Sequence, residues 1–249
     1  GYAENGRDSP DIGITEKTDP GYEPIPRYWV PKAEVDDRLA AKYWTRGWLM
    51  GWRDITNASN ERTVIASVFP RVGAGDTLLI KMPNVDDPRM YTANVANLCS
   101  LTLDYASRQK IGGTHMKYNV FKQLPILPPA FYTEPRLTFI TPKVLELTYT
   151  SHSLAPFASD LGHNDPPFIW DEDRRALLRA DLDAFYARAY GLTRDELRYI
   201  LDPADVKGPD YPSETFRVLK EKEIREYGEF RTRRLVLAVL AASVLGGCA

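Results

Sequence analysis

Hydrophobic and polar residues follow two different spacings in the first 150 residues of the chain. Runs rich in Val, Ile, Leu, Trp and Thr, separated by polar or glycine-containing turns, are typical of strands. Apolar residues three or four positions apart, as at Val95, Leu98, Leu101 or Thr102, and Tyr105, are typical of one face of a helix. The predicted strands cover residues 48–55, 62–69, 76–82 and 120–127, and the predicted helices cover residues 34–43, 91–108 and 139–151.

Helical signals dominate the second half of the chain. Asp171 is a suitable N-cap for a helix that runs to Tyr190 and stops at Gly191. Thr193 and Glu196 have the spacing of a capping box, which predicts the start of the next helix. Further helices are predicted to begin at Ser213 and near Thr232.

These elements predict an α/β protein of the α+β kind. A mixed sheet with helices forms the front, and a helical C-terminal part follows it. Residues 1–21 are polar and rich in Asp, Gly and Pro, which predicts a loop or disordered arm. The expected division is therefore this arm, an α/β domain over residues 22–150, and a helical region over residues 151–249.

Composition excludes several classes of protein. The chain has 249 residues, a formal charge of -2 and a pI of about 6.0, so any surface that binds a polyanion must be a local basic patch. Its two cysteines, Cys99 and Cys248, do not form a disulfide framework and suit the reducing cytoplasm. The apolar run from Leu235 to Leu245 is shorter than the roughly 20 residues of a membrane span, so we expect a buried helix there and no membrane partner. The polar start without methionine predicts a piece of a longer protein, with processing or a tag remnant as the alternatives.

Basic, glycine and amide-bearing residues crowd the segment after the predicted helix 91–108. Glycines let backbone N–H groups approach phosphate, Lys and Arg neutralise it, and Asn and Thr can read base edges. The candidate DNA contacts here are Arg108, Lys110, Gly112, Gly113, Thr114, Lys117 and Asn119. The alternative is a helix C-terminus whose basic residues complement the helix dipole and whose glycine caps it.

A second polar cluster lies in the segment WRDITNASNERT, residues 52–63. Its candidate DNA contacts are Arg53, Asn60, Arg62 and Thr63. The alternative is a hairpin in which Asp54 and Glu61 pair with the two arginines. A third group, Arg231, Arg233 and Arg234, opens the last predicted helix and is explained by an external anion, by acidic neighbours or by a solvated charged face.

Chemistry for catalysis is sparse. The segment Asp165 to Phe168 reads DPPF and looks like the catalytic tetrapeptide of amino-methyltransferases, which holds a flipped base. The residues before it are polar rather than a buried strand, and the chain has no glycine-rich cofactor loop of the expected kind. The three histidines have no regular metal-ligand spacing, so no metal site and no catalytic residue are predicted.

Three blocks, read in order, resemble the C-terminal part of large adenine-specific DNA methyltransferases. The blocks are WRDITNASNERTVIASVFP, LDYASRQKIGGTHMKYNVFKQLPILPP, and the helical DRRALLRADLDAFYARAYGLTRDELRYILDP with GEFRTRRLVL. The family belongs to type II (type IIG-like) restriction–modification enzymes and to BREX- and DISARM-like phage-defence systems. The terminal AVLAASVLGGCA departs from its pattern.

The resemblance implies a target-recognition region that selects a DNA sequence for an N6-adenine methyltransferase. It implies double-stranded DNA and the N-terminal methyltransferase domain of the same protein as partners. S-adenosylmethionine would bind the parent protein, and the chain itself would hold no cofactor and would not methylate. Two alternatives stay open: a self-contained S-adenosylmethionine-dependent methyltransferase that uses Asp165–Phe168, and a protein-interaction module of a defence complex with Tyr28–Trp52 as its docking surface.

Overall fold

The computed structural model of the protein describes residues 11–212 and 215–245. It has an α+β fold with a helical C-terminal part, which confirms the predicted class. Two short helices, α1 (Ile14–Thr18) and α2 (Lys32–Ala40), precede the sheet. α1 lies inside the predicted loop arm, and the Thr18 hydroxyl closes it by donating to the Ile14 carbonyl at 2.9 Å. The first ten residues lie outside the described part of the chain.

The described sheet has three strands, β1 (Trp48–Arg53), β2 (Ala66–Pro70) and β3 (Leu78–Lys81), in the order β2-β1-β3. β1 is central, and Met50 lies opposite both Val68 and Lys81. Each of the first three predicted runs overlaps a strand, but the described sheet is antiparallel throughout rather than mixed. Residues 48–52 are all buried because helices or loops cover both faces of the central strand.

The predicted helix over residues 91–108 is two helices, α3 (Arg89–Cys99) and α4 (Leu101–Arg108). The break is at Ser100, whose backbone is extended and whose hydroxyl accepts from the Leu103 amide. The Leu101 amide donates to the buried carboxylate of Asp183 at 2.7 Å. Side chains thus satisfy the first amides of α4, which makes a second helix start inside one apolar pattern.

The predicted strand over residues 120–127 is wrong. Its first residues belong to a short helix, α5 (Tyr118–Phe121), and the rest is irregular. Phe121 stacks on Trp52 with ring centroids 3.8 Å apart. The Leu127 amide donates to the side chain of Asn97 rather than to a neighbouring strand.

Three helices of different length lead into the C-terminal part: α6 (Glu134–Thr148), α7 (Ala155–Asp160) and α8 (Glu172–Ala189). α6 begins five residues before the predicted start, and Pro142 lies inside the helix. The predicted limits of α8 are confirmed. Asp171 accepts from the Arg174 amide at 2.9 Å, and Gly191 takes the left-handed conformation that ends the segment.

The last helices are α9 (Arg194–Leu201), α10 (Ala204–Lys207), α11 (Arg217–Tyr227) and α12 (Arg231–Leu245). The capping box of Thr193 and Glu196 is confirmed at the start of α9. Ser213, the predicted start of α11, and Cys248 lie outside the described residues. Val236, Leu237 and Leu240 of α12 are buried. In the described ranges, every helix is too short or too polar to cross a bilayer.

Two hydrophobic clusters share helix α8. The first contains the sheet, α3 and α6, and receives Leu182 and Tyr186 from α8. The second joins α9, α11 and α12, and receives Ala184 and Ala187 from the same helix. The division of the chain at residue 150 stays a prediction, and α8 packs against elements on both sides of it.

Candidate nucleic-acid interface

Residues 109–117 connect α4 to α5 and contain the predicted glycine-rich contact; we call them the GGT loop. Its first end is fixed by Ile111, whose side chain is buried and whose amide donates to the Ser107 carbonyl at 3.0 Å. Its second end lies along the continuation of β1. There the Met116 amide donates to the Asp54 carbonyl at 2.7 Å, and the Thr56 amide donates to the Thr114 carbonyl at 3.0 Å. The loop is therefore held at both ends with its middle exposed.

Trp52 positions the second end of the loop. Its indole N–H donates to the Met116 carbonyl at 2.7 Å, and its ring stacks on Phe121 of α5. The Met116 side chain is fully buried. Because side chains alternate along a strand, Arg53 leaves β1 on the face opposite to Trp52, away from α5 and Met116.

The two glycines of the loop are not required by the fold. Neither Gly112 nor Gly113 is among the residues with positive φ, so the predicted alternative of a glycine helix cap is not what the structure contains. A Cβ atom added at either position would meet nothing within 4 Å. Both residues are exposed, so the absence of a side chain leaves backbone open to an approaching molecule.

Asp54 is a buried carboxylate beneath the loop. Its Oδ2 atom accepts from Nδ1 of His115 at 2.7 Å and forms an ion pair with Nζ of Lys117 at 2.9 Å. Burial opposes ionisation of Asp54, but hydrogen bonds from Lys117 and His115 outweigh it and hold its pKa below the usual value. The same contact raises the pKa of Lys117. Lys117 thus anchors the loop, and about half of its side chain remains exposed.

The structure brings part of the predicted DNA-contact set to the surface. The exposed members are Arg53, Lys110, Gly112, Gly113, Thr114, Lys117 and Asn119. All except Arg53 belong to the GGT loop or to α5, which begins where the loop ends. They are close in sequence, and the buried Ile111 and Met116 lie between them.

Thr63 and Arg62 do not reach this surface. Thr63 is fully buried, its amide donates to Asp104 at 2.7 Å, and its hydroxyl donates to the Asn57 carbonyl. Arg62 points into a cavity bounded by β2, α3, α6, α8 and α11, where it lies 4.0 Å from Asp183. We call this the α8 cavity. The prediction that these two side chains contact DNA is therefore corrected: Thr63 is buried, and Arg62 lines the α8 cavity.

Arg108 is also a structural residue rather than a surface contact. Only 7% of it is exposed, and its Nε donates to Asp104 at 2.8 Å. Its remaining N–H groups donate to four backbone carbonyls, those of Ala58, Asn60, Glu61 and Thr215. The half-buried Asn60 is held through its backbone carbonyl, which accepts from Arg108. Arg108 thus fixes the loop after β1 onto α4.

The expected hairpin ion pairs are replaced by others. Asp54 pairs with His115 and Lys117, and Glu61 pairs with Lys222 of α11 at 3.0 Å. Sequence reasoning did not foresee the part played by Asp54 and His115. The available signal was a single carboxylate at the end of an apolar strand, which needs a cationic partner when it is buried.

The arginines at the start of α12 have acidic neighbours. Arg231 pairs with Asp173 at 2.7 Å, Arg233 pairs with Asp205, and Arg234 donates to Glu229 at 2.8 Å. Of the explanations that the sequence allowed, acidic neighbours account for this cluster. An external anion is not needed there.

The DPPF segment lacks the surroundings of a catalytic loop. Asp165 is exposed and does not line the α8 cavity. Phe168 packs on His163 with ring centroids 4.9 Å apart, and its amide donates to the Tyr149 carbonyl at 2.9 Å. These contacts make the segment a connector between α7 and α8.

Comparisons with protein-family models, with curated proteins and with solved structures found no match to this chain. The resemblance to adenine-specific DNA methyltransferases therefore stays a prediction. In the part of the chain that the structure describes, His, Cys, Asp and Glu side chains form no group of three or more suited to a metal ion.

Proposed function

We propose that this chain is the DNA-recognition region of an N6-adenine methyltransferase of the restriction–modification type, acting in the cytoplasm, and that the GGT loop contacts double-stranded DNA. The observation that carries the proposal is the exposed glycine pair, Gly112 and Gly113, which neither positive φ nor crowding explains. It lies between two exposed lysines, Lys110 and Lys117, on a loop with fixed ends.

The chemistry of the loop suits a duplex. Backbone N–H groups of a glycine turn and lysine side chains contact phosphate and set the register of a protein on DNA. Thr114 and Asn119 carry hydroxyl and amide groups that can read base edges in the major groove. Arg53 lies on the other face of β1, so the contact surface in this proposal is the GGT loop with the start of α5.

S-adenosylmethionine and the methyl transfer itself belong, in this proposal, to the parent protein. The chain selects the site, and a methyltransferase domain of the same protein modifies the adenine. A calorimetric titration of the chain with S-adenosylmethionine should therefore give no binding heat, whereas measurable binding would favour the self-contained enzyme.

Fluorescence anisotropy of a labelled duplex across a salt series tests DNA binding. We expect the logarithm of the association constant to fall linearly with the logarithm of salt concentration, because phosphate contacts release counterions. Lys110→Ala should reduce the slope by about one, the contribution of one phosphate contact. The exposed lysine of the loop after α2, in the variant Lys42→Ala, is the matched control and should leave the slope unchanged.

Two results would contradict the proposal. One is the lack of binding to any duplex at low salt, and the other is binding that does not respond to salt. A slope change in Lys42→Ala equal to that in Lys110→Ala would show that general charge, rather than the loop, accounts for the affinity.

An exposed aromatic segment favours a second function, as a docking module. Tyr28 and Trp29 are 77% and 80% exposed, and Ile25 and Val30 beside them are also exposed. Exposed aromatic clusters are typical of protein-interaction sites. The predicted docking surface over Tyr28–Trp52 is narrower than expected, because its remaining tryptophans, at positions 44, 48 and 52, are all buried.

The partner that fits this segment best within the proposal is the methyltransferase domain of the same protein. Co-expression of that domain as a separate chain tests it. Trp29→Ser should weaken co-elution and leave duplex binding unchanged. Tyr118→Ser, beside the GGT loop, is the control and should leave co-elution unchanged. Equal co-elution of Trp29→Ser and the wild type would remove this role.

A further inference from the structure

The α8 cavity has the size and lining of a small-molecule site. Its volume is about 480 Å³, within the range of ligand pockets. One wall is apolar and includes Val64, Val144 and Leu182. The residues of the GGT loop do not line it, so the cavity is separate from the proposed DNA contact.

Charged side chains from α8 also line the cavity. Arg175, Arg179 and Asp183 are four residues apart, so they lie on one face of the helix. Arg179 donates to Glu172 at 2.5 Å, and Asp183 accepts from the Leu101 amide at 2.7 Å. These two groups are therefore engaged within the protein.

Two guanidinium groups of the cavity keep unused donors. Nη1 of Arg62, and Nε and Nη1 of Arg175, are buried without a hydrogen-bond partner among the described residues. Buried donors are normally satisfied, and a buried guanidinium without an acceptor is unfavourable. Burial is the main reason why the pKa of Arg175 is lowered to about 10.

Trp170 fixes the orientation of Arg175. The guanidinium carbon lies 3.6 Å from the centroid of the indole ring, and the indole N–H donates to Glu172 at 3.2 Å. A cation stacked in this way presents its N–H edge rather than its face. The ammonium of Lys17 lies 5.2 Å from the same ring and adds positive charge at the cavity.

Several carboxylates of the lining have partners of their own. Glu61 pairs with Lys222 at 3.0 Å. Glu223 accepts from the amide and the hydroxyl of Thr232, at 2.7 and 2.5 Å. Glu226 also lines the cavity and is exposed. Among the lining residues, the buried donors without a hydrogen-bond partner therefore belong to Arg62 and Arg175.

We propose that the α8 cavity binds a small amphipathic anion, with a carboxylate or phosphate on the free donors of Arg62 and Arg175 and an apolar body against Val64, Val144 and Leu182. Guanidinium groups bind both kinds of oxyanion through paired N–H donors. The apolar lining residues would contact the apolar body of the ligand. The cavity volume limits the ligand to a compact molecule such as a single substituted ring.

Thermal unfolding of the full chain with three probes of similar shape tests the proposal. Phenyl phosphate represents the phosphate source, phenylacetate represents the carboxylate source, and benzyl alcohol is the neutral control. We expect at least one of the two anions, at millimolar concentration, to raise the Tm by a few degrees, and benzyl alcohol to leave it unchanged. The anion that acts identifies the head group.

Variants locate the site. Arg62→Met and Arg175→Met should abolish the anion-dependent rise in Tm, because each removes open donors. Arg174→Met is the matched control, since Arg174 is the next arginine on α8 but pairs with Glu146 outside the cavity. It should respond to the anion as the wild type does.

The contrary outcomes are clear for the unmodified chain and for the variants. If neither anion acts on the wild type, or if benzyl alcohol acts equally, the proposal is overturned. It is also overturned if folded Arg62→Met and Arg175→Met bind the anion with wild-type affinity. Should either methionine variant fail to fold, Arg175→Lys replaces it, and we expect at least a tenfold weaker affinity because the paired donors are lost.

Discussion

The guanidinium of Arg108 lies inside the protein, between Asp104 and four backbone carbonyls. In the sequence it is one more basic residue beside a glycine-rich turn. Residue type alone does not distinguish a buried structural arginine from an exposed one that could contact DNA. The clue was Asp104 four residues earlier, which places a carboxylate on the same helix face. A basic residue with such a partner is a poorer candidate for DNA than one without it.

We expect Arg108→Ala to lower the free energy of unfolding by about 3–5 kcal/mol, because it leaves Asp104 buried without its cation. Urea unfolding followed by circular dichroism measures this. Arg53→Ala, at an exposed arginine, is the control and should stay within about 0.5 kcal/mol of the wild type. A loss below about 1 kcal/mol for Arg108→Ala would contradict the buried clamp.

Asp183 gives the protein a pH dependence of definite sign. Burial raises its pKa from 3.8 to about 6, although Arg62 and the Leu101 amide act in the opposite direction. Between these two values the folded state keeps a proton that the unfolded state releases. The contribution of this group to the free energy of unfolding is therefore present below the lower value and falls as pH rises to the upper one.

Asp183→Asn should remove that fall. Relative to the wild type, the variant should gain about 2 kcal/mol in free energy of unfolding between pH 4 and pH 7, at 1.36 kcal/mol per pKa unit. Urea unfolding at each pH checks this, with Asp173→Asn, an exposed carboxylate of α8, as the baseline. A difference that stays constant with pH would show that Asp183 titrates normally.

Local signals decide which elements the sequence could predict. The start of α8 at Asp171 and the capping box of α9 depend on residues within one turn of the helix end, so they are readable without the fold. The break at Ser100 depends partly on Asp183, which is distant in sequence. The short apolar run at residues 120–127 has no decisive period, and the stacking of Phe121 on Trp52 makes its first part helical.

The capping box can be tested alone. Thr193 accepts from the Glu196 amide, and the Glu196 carboxylate accepts from the Thr193 amide at 2.8 Å. Thr193→Ala should lower the free energy of unfolding by about 1 kcal/mol. Thr193→Ser should cause a much smaller loss, because the hydroxyl that caps the helix remains. Equal losses in the two variants would show that the methyl group rather than the cap matters.

At the scale of the whole molecule, α8 joins the two hydrophobic clusters. Tyr186 is fully buried in the first cluster, and its hydroxyl donates to the Ala93 carbonyl at 2.8 Å. Ala184 and Ala187, on the same helix, are buried in the second cluster. A cut at residue 150 would remove part of the first core, which the division read from the sequence did not anticipate.

We therefore expect one cooperative unfolding transition for the chain. Urea unfolding should give coincident curves by tryptophan fluorescence and by far-ultraviolet circular dichroism. The buried tryptophans Trp44, Trp48 and Trp52 belong to the first hydrophobic cluster, whereas circular dichroism reports mainly on the helices. Residues 22–150 produced alone should show no cooperative transition. Two separated transitions in the full chain would support two independent domains instead.

The candidate site shows the same limit as the fold. The sequence placed a glycine- and lysine-rich turn after a helix end, which is a local pattern, and the structure has an exposed loop there. It did not separate that loop from Thr63 and Arg62, which the fold turns inward. Burial of a polar side chain depends on distant partners, here Asp104 and Asp183, and a single sequence does not pair them.

The most direct measurement is duplex affinity of the double variant Gly112→Ala/Gly113→Ala, compared with its stability. Because neither position has positive φ or a crowded Cβ, the free energy of unfolding should be unchanged or higher by up to about 1 kcal/mol per site. Gly75→Ala is the matched control, since Gly75 also has open space and negative or extended φ but precedes the acidic Asp76. We expect at least a tenfold loss of duplex affinity for the double variant and none for Gly75→Ala, whereas wild-type affinity in a stably folded double variant would contradict the proposed role of the GGT loop.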